Sequence, residues 1–132
     1  MRGAMLFFAG LLIASVPMVA HHSVDAEFDQ TKPITVTGVV TKVEWMNPHI
    51  WVYLDVKDKA GKVTKWQFEG SAPNALKRSG WTRTSVKEGD QVTISGVMAR
   101  VDAKLAANTG HTQSVVLANG QKVFSGRNAD GN

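Results

Sequence analysis

The chain has 132 residues, no cysteine, and a formal charge of +4 from fifteen bases and eleven acids. That length fits one domain, and without cysteines the domain must be held by core packing rather than by disulfides. Bases and acids are interleaved with no basic block or stripe, which argues against nucleic acid or another polyanion as partner.

Arg2, an apolar run from Met5 to Val16 and the small residue Ala20 have the order of a secretory signal peptide over residues 1–20. The run is shorter than the roughly 20 apolar residues of a spanning helix. Met18 is larger than the residue usual at that position, so a retained membrane anchor is the alternative. Cleavage after Ala20 would leave a mature chain starting at His21, periplasmic or secreted, with no stable membrane span. Its fourteen bases would face eleven acids.

Residues 21–33 read as an N-terminal arm anchored by Phe28, and Lys32-Pro33 ends any helix there. Ile34 to Trp45 has the Val and Thr content of a strand. It is long, and its apolar phase changes near Gly38, which predicts a bulge or bend at that glycine. Asn47-Pro48 signals a turn. His49 to Lys57 alternates: Ile50, Val52, Leu54 and Val56 share the face expected inside, and His49, Trp51, Tyr53, Asp55 and Lys57 the face expected outside.

Asp58 to Gly61 is a polar hairpin turn. In the third predicted strand, Lys62 to Gly70, Thr64, Trp66 and Phe68 point inward and Lys65, Gln67 and Glu69 outward. Ser71 to Gly80 reads as a helix of about two turns, with Ser71 as N-cap, Pro73 in the first turn and Gly80 as the stop. Gln91 to Arg100 is a fourth strand with Val92 and Ile94 inward and a second bend at Gly96. Asp102 to Gly110 reads as a loop, Gln113 to Leu117 as a fifth strand, Asn119-Gly120 as a two-residue turn, and Gln121 to Phe124 as a short closing strand. Residues 126–132 read as a disordered polar tail.

Three strands, a short helix and two or three more strands predict a mainly β domain over residues 34–125. Its expected form is a small OB-fold-like Greek-key barrel of five or six strands, with the helix between strands three and four. An open β-sandwich with one helix is the alternative.

Two sets of residues could carry a function. His21, His22, His49 and His111 fall at the chain end, a corner and a loop. The free amine and ring of an N-terminal His21 can chelate one Cu(II), and His22, His49 and His111 offer further imidazoles for copper or zinc. No spacing here matches a known zinc or copper motif, and solvated arm histidines with a packed His49 are the plain alternative. Trp51, Tyr53, Gln67 and Glu69 form a second set on the outer face of strands two and three, where OB-folds bind ligands. This row could take an envelope protein or peptide without metal, form a dimer contact, or lie under the arm through Phe28. No catalytic constellation is identifiable: there is no Ser-His-Asp order, paired carboxylate or phosphate-cradling glycine loop.

Several segments together resemble one family. They are Ala20-His21-His22-Ser23, Glu27-Phe28-Asp29, Gly38-Val39-Val40, Glu44-Trp45, Asn47-Pro48-His49, Trp66, Pro73-Asn74-Ala75-Leu76, Gly80-Trp81-Thr82-Arg83 and Gly89-Asp90 with Val92. The chain is similar in these to the bacterial exported proteins grouped as domain of unknown function 6152. Met46 departs from the small polar residues common there. The resemblance implies an exported single-domain β protein and brings no activity, cofactor or catalytic residue with it.

Overall fold

The computed structural model describes residues 24–125. A single helical turn, α1 (Val24–Glu27), leads into β1 (Phe28–Glu44), followed by β2 (Trp51–Lys57), β3 (Val63–Glu69), α2 (Pro73–Arg78), β4 (Gln91–Ala99), a 3-10 turn (Val101–Ala103), β5 (Thr109–Leu117) and β6 (Lys122–Ser125). The sheet order is β3-β2-β1-β4-β5-β6, and a parallel pairing of β3 with β5 closes it into a barrel. This is the mainly β, OB-type architecture expected from the strand order, with its one short helix between β3 and β4. The expected signal peptide, His21, His22 and residues 126–132 lie outside the described residues.

The core follows from period-two alternation on bent strands. Val36, Val40, Val52, Leu54, Phe68, Val92, Ile94 and Val115 fill the barrel, and Ile50, Leu76, Trp81 and Val86 join the same cluster. Burying one such side chain contributes roughly 2 kcal/mol.

The phase of β1 breaks at a different residue from the one its sequence suggests. Val36, Gly38 and Val40 all face inward, Val39 is 44% exposed, and the register slips between Val40 and Lys42. The extra residue is therefore Thr41, and Val43 and Trp45 return to the core beyond it. Gly38 has another task. A Cβ there would lie 2.7 Å from the Asp55 carbonyl oxygen, so a bare backbone lets β1 and β2 approach. A bend was also expected in β4 at Gly96; the register does shift between Ser95 and Gly96, but the extra residue is Gln113, on the facing β5.

Other local features differ in detail. Ala72, not Ser71, is the N-cap of α2, with no side-chain cap hydrogen bond. The C-terminal end is a full Schellman motif: Gly80 N–H donates to the Lys77 carbonyl and Trp81 N–H to that of Leu76. Gly80 takes φ +90°, and Leu76 and Trp81 are both buried. The β5–β6 turn is a three-residue loop over 118–120, closed by the Leu117 N–H to Gln121 carbonyl bond, with Gly120 at φ +84°. β1 starts at Phe28 rather than after Pro33, although Gln30 to Lys32 fall out of register, so its regular ladder resumes at Pro33. β5 starts at Thr109, four residues before the expected strand.

Candidate functional site

The outer face of the barrel carries two transverse rows of register partners. One runs Glu44 on β1, Trp51 on β2, Glu69 on β3, His111 on β5 and Val97 on β4. The row beside it runs Lys42, Tyr53, Gln67 and Thr109. The alternation read from the sequence thus places Trp51, Tyr53, Gln67 and Glu69 together on one surface.

Most of this surface is already bonded within the protein. Tyr53 Oη donates to Glu44 Oε2 at 2.9 Å, and Lys42 pairs with Glu44 and lies 5.4 Å from the Tyr53 ring centroid. The Gln67 amide donates to Thr109 Oγ1 at 3.0 Å, and that hydroxyl donates to the Ala106 carbonyl.

Glu69 lies on the outward face of β3 as expected, yet it is only 4% exposed. Its backbone is held between β2 and β5, and its Oε1 contacts His49 Nδ1. His49 reaches it from the corner loop, where the Asn47–Pro48 peptide is cis. His111 was expected in a loop. It stands instead inside β5, directly beside Glu69. The Phe28 ring covers it, with centroids 5.2 Å apart and planes tilted by 57°. The expected arm anchor is thus 1% exposed and packs against this site.

Burial dominates the electrostatics. It pushes the Glu69 carboxyl up to about 7, with the Glu27 charge adding to the effect. It pushes the His111 ring down to about 4, with His49 nearby adding repulsion. Near neutral pH His111 is therefore uncharged, and Glu69 Oε1 lies against His49 Nδ1. Among the described residues no group of three or more histidines and acids is arranged to hold a metal ion. The described part of the site offers two imidazoles and a carboxyl bound to one of them.

The two shifts give opposite dependences of stability on pH. A raised carboxyl pKa contributes stability that is full below 4.5 and lost as pH rises through about 7. A lowered imidazole pKa contributes stability that is full above 6.5 and lost as pH falls through about 4. Between pH 4.5 and 6.5 they oppose each other. Urea unfolding in the presence of a chelator should therefore be nearly flat with pH for the native protein over that range. Glu69→Gln leaves the His111 contribution alone, so its stability should rise with pH there, by up to about 3 kcal/mol. Parallel pH profiles for the two proteins would refute this assignment.

The nearness of Glu69 to His49 and Trp51 follows from the alternation of β2 and β3, whereas the approach of Glu27 to Glu69 was not legible, because those two come from separate segments. The Thr109-Gly110-His111-Thr112 stretch carried one weak signal, its two β-branched threonines flanking the histidine.

The fold and this face define a small OB-type β-barrel module, and among the described residues no helix is long and apolar enough to cross a membrane. The chain belongs to the DUF6152 family, a family of unknown function, whose model matches residues 9–110. Among solved structures it is similar to the N-terminal domain of PriB from Thermoanaerobacter tencongensis, described as dimeric. The identity is 18%, the TM-score 0.47, and the match covers 67% of this chain and 97% of that one. No curated protein matches the chain.

Proposed function

We propose that this protein is an exported binding module that takes a transition metal ion, copper ahead of zinc, on His21, His22 and His49, with His111 as a further imidazole. The observation that carries the reading is the meeting of His49, Glu69 and His111 at the place where Glu27 and Phe28 bring in the chain end. The arm histidines lie outside the described residues, and the described part of the site lacks a complete ligand set without them.

Signal removal after Ala20 would create the free His21 amine, which with its own ring forms a compact chelate. Amine and imidazole donors without thiolate favour Cu(II) over Zn(II). Such an ion would add a Lewis acid or redox centre to a face that the protein's own residues shape and partly shield.

Calorimetric titration of the chain beginning at His21 tests the reading. Cu(II) should bind at least about tenfold tighter than to an unrelated peptide starting with His-His, and His49→Ala should remove that advantage. Placing Gly-Ser ahead of His21 should weaken copper more than zinc. Affinity equal to the peptide's would overturn the reading. Cell fractionation with N-terminal sequencing tests export, and an intact leader on cytoplasmic protein would contradict it.

A metal-free peptide-docking face is the second reading, supported by half-buried Trp51 in the same row. It is the weaker one, since Tyr53, Gln67 and Glu69 are bonded to neighbours within the barrel. Trp51→Ala should release captured envelope proteins if it holds, and leave them unchanged if it does not.

A further inference from the structure

We propose that residues 24–29 form a hinged strap on the outer face of the barrel, which lifts as a unit while the ladder from Pro33 onward stays paired, and so bares His111 and the end of β4. The inference goes beyond the binding readings above and holds with or without a metal ion.

The hinge is visible in the register. Asp29 faces Met98 and Pro33 faces Val97, so β1 takes four steps where β4 takes one. The three residues between, Gln30, Thr31 and Lys32, are exposed, and their side chains bond back to the strap. Asp29 Oδ1 accepts from the Thr31 N–H at 3.0 Å and from the Thr31 hydroxyl at 2.7 Å. Lys32 pairs with the other oxygen of Asp29 at 3.6 Å, and Gln30 Nε2 donates to Asp25 Oδ1 at 3.1 Å. The loop can therefore swing with the strap and keep these bonds. Pro33, with its fixed φ, is a stiff place for the ladder to restart.

The strap itself is held at few points. α1 buries none of its residues. Two register pairs, Phe28 with Ala99 and Asp29 with Met98, hold the backbone to β4. Arg100 adds its N–H to the Glu27 carbonyl at 2.8 Å and its Nε to that of Asp25 at 2.9 Å. Phe28 is the buried residue of the strap, and its ring lies against His111, outside the central core cluster. Lifting that ring thus leaves the barrel interior filled. Segments with few buried apolar side chains open at a smaller free energy than the core of the same protein.

Amide hydrogen exchange of the full chain, read by NMR over a series of low urea concentrations, tests this. The Arg100 amide should exchange at least about tenfold faster than the amides of Val92 to Ile94, which lie between ladders on both sides. Its urea dependence should be much shallower, because lifting the strap exposes little surface. Deleting Gln30 to Lys32 joins Asp29 directly to Pro33, whose partners Met98 and Val97 are adjacent, and removes the slack. Arg100 exchange should then slow to the rate of the core amides. Asp29→Cys with Met98→Cys places two thiols on a register pair in a chain with no other cysteine. Once oxidised, this variant should show the same slowing, and diethyl pyrocarbonate should label His111 several-fold less until reductant is added. It carries the test alone should the deletion fail to fold. An Arg100 amide with the rate and urea slope of the core would overturn the strap. Fast exchange persisting in the deletion variant or in the cross-linked one, or His111 labelling unchanged by the cross-link, would overturn it too.

Discussion

Gly96→Ala should lower the stability of the barrel by about 3 kcal/mol, at the upper end of what overpacking usually costs. At this residue the backbones of β4 and β5 run too close for a side chain. A Cβ would overlap the His111 carbonyl oxygen, and Thr112 Cα would lie 3.4 Å away. Both obstacles are backbone, so no rotamer change relieves them, and β5 must move. That strand also closes the barrel, through the pairs Gln67 with Thr109, Phe68 with Gly110 and Glu69 with His111. Displacing it separates Glu69 from His111 as well as straining the sheet. Gly89→Ala is the control. Its φ is +88° but nothing lies within 4 Å of the added Cβ, so it should cost only about 1 kcal/mol of backbone strain. Urea unfolding of the two variants measures the difference. Equal midpoints would mean that β4 and β5 do not approach as closely as described.

Phe28→Ala should cost about 3 kcal/mol, the lower end for removing a buried phenylalanine. The ring is 1% exposed and lies outside the central core cluster, against His111. Its loss should expose the imidazole, so the titration midpoint of His111 should climb from about 4 toward the ordinary 6.5. The sign follows from the cause: burial disfavours the charged ring, and hydration restores it. Proton NMR of the His111 ring across pH 3 to 8 reads this directly. A midpoint that stays near 4 would show that the strands, not the arm, keep that ring dry. In the metal reading the same variant should also lose copper affinity, because Phe28 is what holds the arm to the site.

The outward row on β2 and β3 could be read without coordinates because strands have a period of two. Val52 and Leu54 had to go inside, so Trp51 and Tyr53 could not. The helix stop at Gly80 and the hairpin at Gly61 were equally readable, since positive φ suits glycine. The position of the β1 bulge was not. Three consecutive apolar or small residues, Gly38-Val39-Val40, fit either phase, and the choice is made by Val40 meeting the core while Val39 faces water.

The first half of β5 was harder still. Ala106, Ala107 and Asn108 just ahead of it and Gly110 within it have poor strand propensity, and the pairing of Thr109 to His111 with β3 joins segments about forty residues apart in sequence.

Composition, alternation and turn chemistry were thus sufficient for the class of fold, the faces of its strands and the histidines to consider. These are local properties, carried by residues two to five positions apart. The placing of His111 beside Glu69 came from closure of the barrel, and the cover of Phe28 over His111 from the long-range packing of β1 on it. Burial and ring contacts between strands depend on which segments meet, and no local pattern encodes that meeting. A carboxyl that reads as outward-facing becomes a buried group with a raised pKa once β5 lies beside it and Glu27 stands nearby.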